Sequence, residues 1–450
     1  MNRTQVIAIF DIGKTNKKLF LFDKKYNKVF EESIQLKETV DEDGDPCEDL
    51  KLLTVWIKNT FDKITEMSQF QIEAINFSAY GASFVHILKN DPHLLPLYNY
   101  LKPFQPYIEE LFFNTYGPKI KIEKETGSPF SGNLNSGLQI YSIKKRHPDV
   151  FKEIKNSLHL PQYLSYLITG KLYSDITSIG CHTFLWNFEK NTYHDWVIQE
   201  GIDQKLAPVE KSDSILKINY KNKNIMVGRG LHDSSASLIP YLTNFNEPFV
   251  LISTGTWCVS LNPFNNTKLT EEDLKNDSLC YIQYQGLPVK ANRLFAGYKH
   301  EQEVKNLSSF YNKPLDYYKN VQHDSKIVKK LIDKPTSNKT PDAQATYQNF
   351  SSYEEAYHQL VLDIIALQVK STTSVLEGSQ VKQIFIDGGF SKNTIYMNLM
   401  AQHFPEMEIY AASMAQATAI GAALAIHKHW NEMPIPNDII ELKIYSSLNS

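Results

Sequence analysis

Four short stretches of this sequence carry residue types that suit phosphoryl transfer. The first is Asp11-Ile12-Gly13-Lys14-Thr15-Asn16-Lys17-Lys18, directly after the apolar run VIAIF. A carboxylate at a strand end can hold Mg²⁺ or its waters, while turn N–H groups and a lysine contact phosphate oxygens. The same residues would also make an ordinary hairpin turn with solvated lysines. The second stretch, Ser253-Thr254-Gly255-Thr256, is again a strand meeting a hydroxyl-rich glycine turn. Singly it is an ordinary turn too. As a pair, two such turns could face each other across a cleft and grip one triphosphate.

The third stretch is Asp387-Gly388-Gly389-Phe390-Ser391-Lys392-Asn393, which follows the apolar IFI. Gly-Gly allows a flat base or ribose to approach the backbone, and Ser391 or Asn393 could cap the following helix. It is neither a Walker loop nor a GxGxxG fingerprint. The fourth is His232-Asp233. Phosphorylating an alcohol needs a carboxylate beside the hydroxyl to accept its proton, and Asp233 stands just after a glycine-rich stretch and ahead of SSASLIP. An N-cap of that helix is the plainer role for Asp233, and the two are compatible, because a helix N-terminus favours negative charge. The thirteen histidines show no HExxH or other ligand spacing and read as surface or satisfied core groups. Trp56, Phe61 and Trp257 read as core, and the Lys-rich stretch 216 to 224 as a solvated loop.

These residues need elements to position them. Residues 6 to 23 read as a β-hairpin, 50 to 68 as a helix, and EAINFSAYG as a strand running into a glycine turn. From Tyr141 to Leu167 the spacing predicts helices, broken at Pro148 and Pro161 and stopped by Gly170. The pattern restarts at PFVLISTGTWCVSLNP, much like the beginning of the chain, and ASMAQATAIGAALAIHK reads as a small-residue helix. Two strand-turn-strand units, each opening one half, suggest homologous halves that divide near residues 240 to 247. The polar segment 310 to 352 reads as a surface excursion.

Bulk properties exclude several classes of function. A chain of 450 residues, 42% hydrophobic and 22% charged, has the makeup of a globular protein with two or three domains. With 47 basic residues against 50 acidic ones, the net charge of -3 argues against nucleic-acid binding. There is no apolar run long enough to span a membrane, and the N-terminus does not read as a secretory signal. Four scattered cysteines without CxxC spacing fit a reducing compartment such as the cytoplasm.

Taken in order, the four stretches resemble the FGGY family of carbohydrate kinases, within the actin, hexokinase and Hsp70 ATPase superfamily, over nearly the whole chain. DIGKTNKK is similar to the family's first phosphate motif, DxGTTxxK, with Asp11, Gly13, Thr15 and Lys18 in register. ISTGTW resembles the second phosphate motif; IDGGFSKN and AQATAIGAALA resemble the adenosine motif and closing helix. TGSPF near residue 126 and YLITGKLYSDITSIG near residue 166 resemble the TGxP and LTGxxxxDxT stretches. The resemblance implies an α/β fold of two ribonuclease H-like domains of the actin/hexokinase type, residues 1–241 and 242–450, with ATP and Mg²⁺ in the cleft between them. It implies Asp233 as catalytic base and Asp11 toward the metal. Gly13, Thr15, Asn16 and Lys18 would belong to one phosphate loop and Gly255 and Thr256 to the other, with Gly388, Gly389 and Asn393 lining the nucleotide pocket.

The sugar would lie mainly against the N-terminal domain, near His232, Asp233, Tyr80 and Gly81. His232-Asp233-Ser234 is most like the rhamnulose and fuculose kinases, which implies a 6-deoxy-ketohexose giving the 1-phosphate. Xylulose, ribulose or a polyol is the alternative substrate, and a non-catalytic nucleotide-dependent regulator the alternative function. The small-molecule sugar is the expected partner, for a monomer or homodimer. Two positions depart from the family pattern: Lys14 stands where a small residue or Thr is usual, and Gln416 replaces a common Glu.

Overall fold

The computed structural model describes residues 3–81, 83–89, 95–333, 347–414 and 416–446. Strands β1 (Thr4–Ile12) and β2 (Lys17–Asp23) form the expected hairpin. Val6 to Phe10 are all buried, because β1 is covered on both faces; its run is therefore continuously apolar rather than alternating. β3 (Lys28–Ile34) extends the hairpin. Helix α1 (Leu50–Glu66), capped by the Asp49 carboxylate, buries Leu53, Ile57, Phe61 and Ile64 at helical spacing. It returns the chain to β4 (Phe70–Ala79), parallel to β1.

The sheet is completed by β5 (Ile215–Tyr220) and β6 (Lys223–Gly228), in the order β5-β6-β4-β1-β2-β3, while the short β7 (Leu231–His232) pairs with the end of β4. The Lys-rich stretch is thus an edge hairpin and not a loop. Ile225 and Val227 turn inward while Lys217 and Asn219 face water, and lysines on an edge strand discourage further pairing. A second departure lies in the stretch read as helical. Ile154–His159 is a strand paired with Phe84–Leu88, and only afterwards does α2 (Leu160–Thr169) run to Gly170, whose φ of 65° ends it in the left-handed region.

The second sheet opens with β8 (Phe249–Thr254) and β9 (Cys258–Asn262), the anticipated restart. With β10 (Ser278–Ile282), β11 (Pro288–Leu294), β12 (Gln383–Gly388), β13 (Glu408–Ser413) and β14 (Glu441–Tyr445) it runs β10-β11-β9-β8-β12-β13-β14. Helices α4 (Ala296–Phe310), α5 (Tyr353–Leu376) and α6 (Thr394–His403) cover its outer face through one apolar cluster. Of the polar stretch 310 to 352, residues 334–346 lie outside the described residues, and Ser325–Ile332 is a helix capped by Asp324.

Between the two sheets lie α3 (Asp233–Asn244) and α7 (Ala417–Ala425), packed into a cluster that takes Ile7 and Ile9 from one sheet and Leu251 and Phe385 from the other. Their approach is close enough that a Cβ on Gly421 would overlap the Ala236 carbonyl oxygen. This explains the run of small residues in GAALA. Asn76, in the middle of β4, donates through Nδ2 to the Ala422 carbonyl at 2.8 Å and accepts the Gly230 N–H at 3.1 Å. One amide thus ties sheet, helix and the loop before Asp233 together.

Candidate active site

Strand register brings the sequence-predicted residues to two edges. In the first sheet Asp11 lies beside Ser78 and Ile12 beside Ala79, while Leu231 and His232 flank the same two β4 positions from the other side. The first turn, Tyr80-Gly81 and His232-Asp233 therefore leave one sheet at the carboxyl ends of adjacent parallel strands, where open α/β sheets bind ligands. In the second sheet Thr254 is paired with Gly388, so the second turn and the Gly-Gly turn leave together.

On the first edge Asp11 and Lys18 are cross-strand partners. The Asp11 carboxyl is pushed up to about 7, first by burial and then by the negative charge of Asp233, against a smaller opposing pull from Lys18. Two carboxylates that feel each other in this way suit a hard divalent cation. Among the described residues no cluster of three or more His, Cys, Asp or Glu side chains could hold a metal, so phosphates and water would complete the shell, as is usual for Mg²⁺. Lys17 is buried and ion-paired to Glu48, which also accepts the Tyr80 hydroxyl at 2.8 Å. Lys14 is drawn aside by Glu38 at 2.9 Å. The Gly13 N–H donates to the Asn16 carbonyl at 3.0 Å, and Thr15 and Asn16 are exposed at the hairpin tip.

Asp233 is the first residue of α3 and not its N-cap, a position taken by His232 without a side-chain bond. Asp233 Oδ1 accepts the Ser234 N–H at 2.6 Å and lies 3.2 Å from His232 Nε2. Burial pushes the His232 imidazole below its usual range, with Asp233 pulling the other way. The LTGxxxxDxT stretch sets this dyad in place. Buried Asp175 accepts the N–H and hydroxyl of Thr177, and the Thr177 hydroxyl in turn accepts the His232 N–H at 3.0 Å. Gly81 is equally constrained, because a Cβ there would stand 2.7 Å from the His232 ring.

The second edge is built from backbone. Thr254 Oγ1 donates to the Asp387 carbonyl at 2.5 Å and accepts the Phe390 N–H at 3.0 Å, while the Gly389 N–H donates to the Thr254 carbonyl at 3.0 Å. Gly388 has φ 94°, and any Cβ on it would overlap that same carbonyl. Gly297 at the start of α4 likewise abuts the Gly255 carbonyl. Asn393 caps α6 through the N–H groups of Ile395 and Tyr396, whereas Ser391 donates to the Gly388 carbonyl.

Two cavities meet at Gly255. One, of about 550 Å³, is lined by Thr254, Gly255, His300, Tyr318, Gly389 and Asn393. The other, of about 270 Å³, lies in the cleft and takes Tyr80, Gly81, His232 and Asp233 from the first half. Gly255, Thr256, Trp257, Tyr281 and Arg293 come from the second. Trp257, read as core, packs half-buried against the central apolar cluster and also borders the cleft. His182 departs from the reading of the histidines as surface or satisfied groups: it borders the cleft, and neither ring nitrogen has a hydrogen-bond partner among the described residues. Sequence reasoning also missed Tyr100, Tyr281, Arg293, His300 and Tyr318, which sit outside the glycine turns and carry no local signature.

Two seven-stranded α/β domains, facing across a cleft with a glycine turn on each lip, form a two-domain kinase fold of the actin and hexokinase type. A solved xylulose kinase from Lactobacillus acidophilus superposes with a TM-score of 0.79 at 16% identity, over 98% of this chain and 94% of its own. A gluconate kinase from the same organism does so with a TM-score of 0.75 at 16% identity, over 98% and 94%. The profile described as "FGGY family of carbohydrate kinases, N-terminal domain" matches residues 6–239, and "Carbohydrate kinase FGGY, C-terminal domain" matches residues 246–434. The chain belongs to the FGGY family of carbohydrate kinases. Among curated relatives, a rhamnulokinase from Halalkalibacterium halodurans is 23% identical over 92% of this chain and 89% of its own length.

Proposed function

We propose that this carbohydrate kinase moves the terminal phosphoryl group of ATP to a ketose hydroxyl, with a 6-deoxy-ketohexose such as L-rhamnulose or L-fuculose giving the 1-phosphate. The observation that carries the reading is the meeting of the two cavities at Gly255. A nucleotide held beside Gly389 and Asn393 would present its phosphates past this turn toward Asp233. The ketose assignment is supported by the His232-Asp233-Ser234 sequence and by the rhamnulokinase relative. Tyr100, Leu134 and Trp257 in the cleft wall offer apolar surface for a methyl where other hexoses carry a hydroxyl.

In the reaction the sugar oxygen bonds to the γ-phosphorus, its proton passes to the Asp233 carboxylate, and the bond from that phosphorus to the ADP oxygen breaks. His232 holds Oδ1 of Asp233, and the bonded contacts of this carboxylate among the described residues all fall on that atom, leaving Oδ2 for the hydroxyl. Gly13, Thr15, Asn16 and Lys18 would contact phosphate from one lip, Gly255 and Thr256 from the other, and Gly388, Gly389 and Asn393 would surround the adenosine. Asp11 would hold Mg²⁺, which when bound offsets phosphate charge. Residues 1–241 and 242–450 would close on the substrates and exclude water. No helix among the described residues is long and apolar enough to cross a membrane, and four free cysteines support a cytoplasmic setting.

A coupled ADP-release assay over ketoses, aldoses, aldonates and polyols tests the reading. One sugar should stimulate turnover, and Asp233→Asn should lower kcat by about a hundredfold or more. ATP bound without stimulation by any sugar would favour a nucleotide-dependent regulator instead.

A further inference from the structure

We infer that Arg293 and His182 are the specificity-determining pair of the cleft cavity, and that the arrangement around them selects a neutral, polyhydroxylated sugar over an aldonate or other sugar acid. This rests on the kinase reading above and goes beyond it to the substrate's charge. The fold itself leaves the choice open, since structures named xylulose kinase and gluconate kinase both superpose on the chain.

Arg293 reaches the cavity from the C-terminal half, on β11 opposite Val259. Its side chain is 6% exposed. Nε and Nη2 donate to the two Asp277 oxygens at 3.1 and 2.6 Å, and Nη2 also reaches Ser131 Oγ of the N-terminal half at 3.3 Å. Nη1 has no partner among the described residues. His182 comes from the N-terminal half, is 5% exposed and borders the same cavity with both ring nitrogens unpartnered. The Gly81 backbone is close enough to the ring to favour its charged form weakly, a smaller effect than burial. Buried donors and acceptors without partners are costly, and hydroxyl oxygens of a bound sugar would satisfy them.

The charges decide which sugar fits. Asp277 offsets part of the guanidinium charge through two hydrogen bonds, so Arg293 offers a donor with a reduced positive field. Burial and the nearby Arg293 charge push His182 well below its usual range, so it enters as a neutral ring able to donate or accept. The remaining charge in the cavity is the Asp233 carboxylate. A substrate carboxylate would meet that like charge while Arg293, the cation lining the cavity among the described residues, is already paired to Asp277; a hydroxyl carries no such cost.

The test compares neutral ketoses with gluconate and other aldonates in wild type, Arg293→Lys and Asp277→Asn. Wild type should prefer neutral ketoses by about tenfold or more in kcat/KM. Arg293→Lys should raise KM for the sugar about ten- to a hundredfold while KM for ATP stays within about twofold. Asp277 has φ 59°, a conformation that Asn accommodates well, so Asp277→Asn frees the Arg293 charge without backbone strain. It should raise the aldonate-to-ketose ratio by about tenfold. A folded Asp277→Asn with an unchanged ratio overturns the inference even where Arg293→Lys fails to fold. Equal rises in both KM values for Arg293→Lys also overturn it, since they mark a structural role. A wild type that prefers aldonates overturns it and leaves the kinase reading standing; a wild type that phosphorylates no sugar removes both.

Discussion

The two hairpins that open the sheets have the same outline and do opposite work. The β1–β2 turn concentrates charge: Asp11 feels the charge of Asp233, Lys18 lies across from Asp11, and Lys17 is committed to Glu48. The β8–β9 turn carries no charge from Ser253 to Thr256 and is held by backbone contacts to Gly297, Gly388 and Gly389. A repeated element is here split into a charged lip and one braced by backbone. On the first, charge fills the turn; on the second, a methyl group added at Gly297 or Gly388 would overlap backbone.

The comparison can be broken first on the charged lip. Asp11→Asn keeps the volume and removes the charge, and should lower kcat by about a thousandfold with little change in Tm, as read by steady-state assay and calorimetry. On the uncharged lip Gly297→Ala introduces a Cβ into the Gly255 carbonyl. There the expected result is a fall of about a hundredfold in kcat/KM for ATP together with a stability loss of about 1–3 kcal/mol. Large kcat loss without Tm loss on the second lip, or the reverse on the first, would dissolve the distinction.

A pH series sharpens it. Asp11 is pushed up to about 7, so in the proposed role a proton would compete with Mg²⁺ below that pH. Apparent Mg²⁺ affinity should rise about tenfold per pH unit up to roughly 7 and then level off. A flat profile would remove Asp11 from the metal site. Asp175 gives a smaller effect with a stability readout. Burial pushes it up to about 6, so the fold binds its proton more tightly than the unfolded chain does. Its share of stability is therefore full at acid pH and declines as pH rises through about 4 to 6, by on the order of 2 kcal/mol. Asp175→Asn should flatten that decline in a pH series of chemical denaturation. The smallest effect belongs to Lys14→Ala. Its exposed pair with Glu38 predicts less than about 1 kcal/mol in stability and less than about threefold in KM for ATP.

Much of the fold was legible because glycine turns at strand ends leave local marks. The hairpin at 6–23, the restart at Phe249 and the Asn393 cap were all readable from neighbouring residues. The strand Ile154–His159 was not, since its partner Phe84–Leu88 lies some seventy positions away and its flanks are truly helical. The edge hairpin of β5 and β6 was hidden by lysines on its wet face. In the site, His182 and Arg293 gave no signal because nothing nearby in sequence announces them. Strand register and domain apposition bring them to one cavity, and neither is a local property.

The tight seam between α3 and α7 would act as a fulcrum for any movement of the cleft. A helix is a stiff rod rising about 1.5 Å per residue, so Asp233 sits only about 4.5 Å along α3 from Ala236, where that helix presses on Gly421. A rocking motion of about ten degrees around this fulcrum would sweep distant loops through several ångströms yet carry the Asp233 carboxylate less than about 1 Å. In the proposed reaction Asp233 would thus ride near the pivot, and the jaws could part to release product without losing its aim.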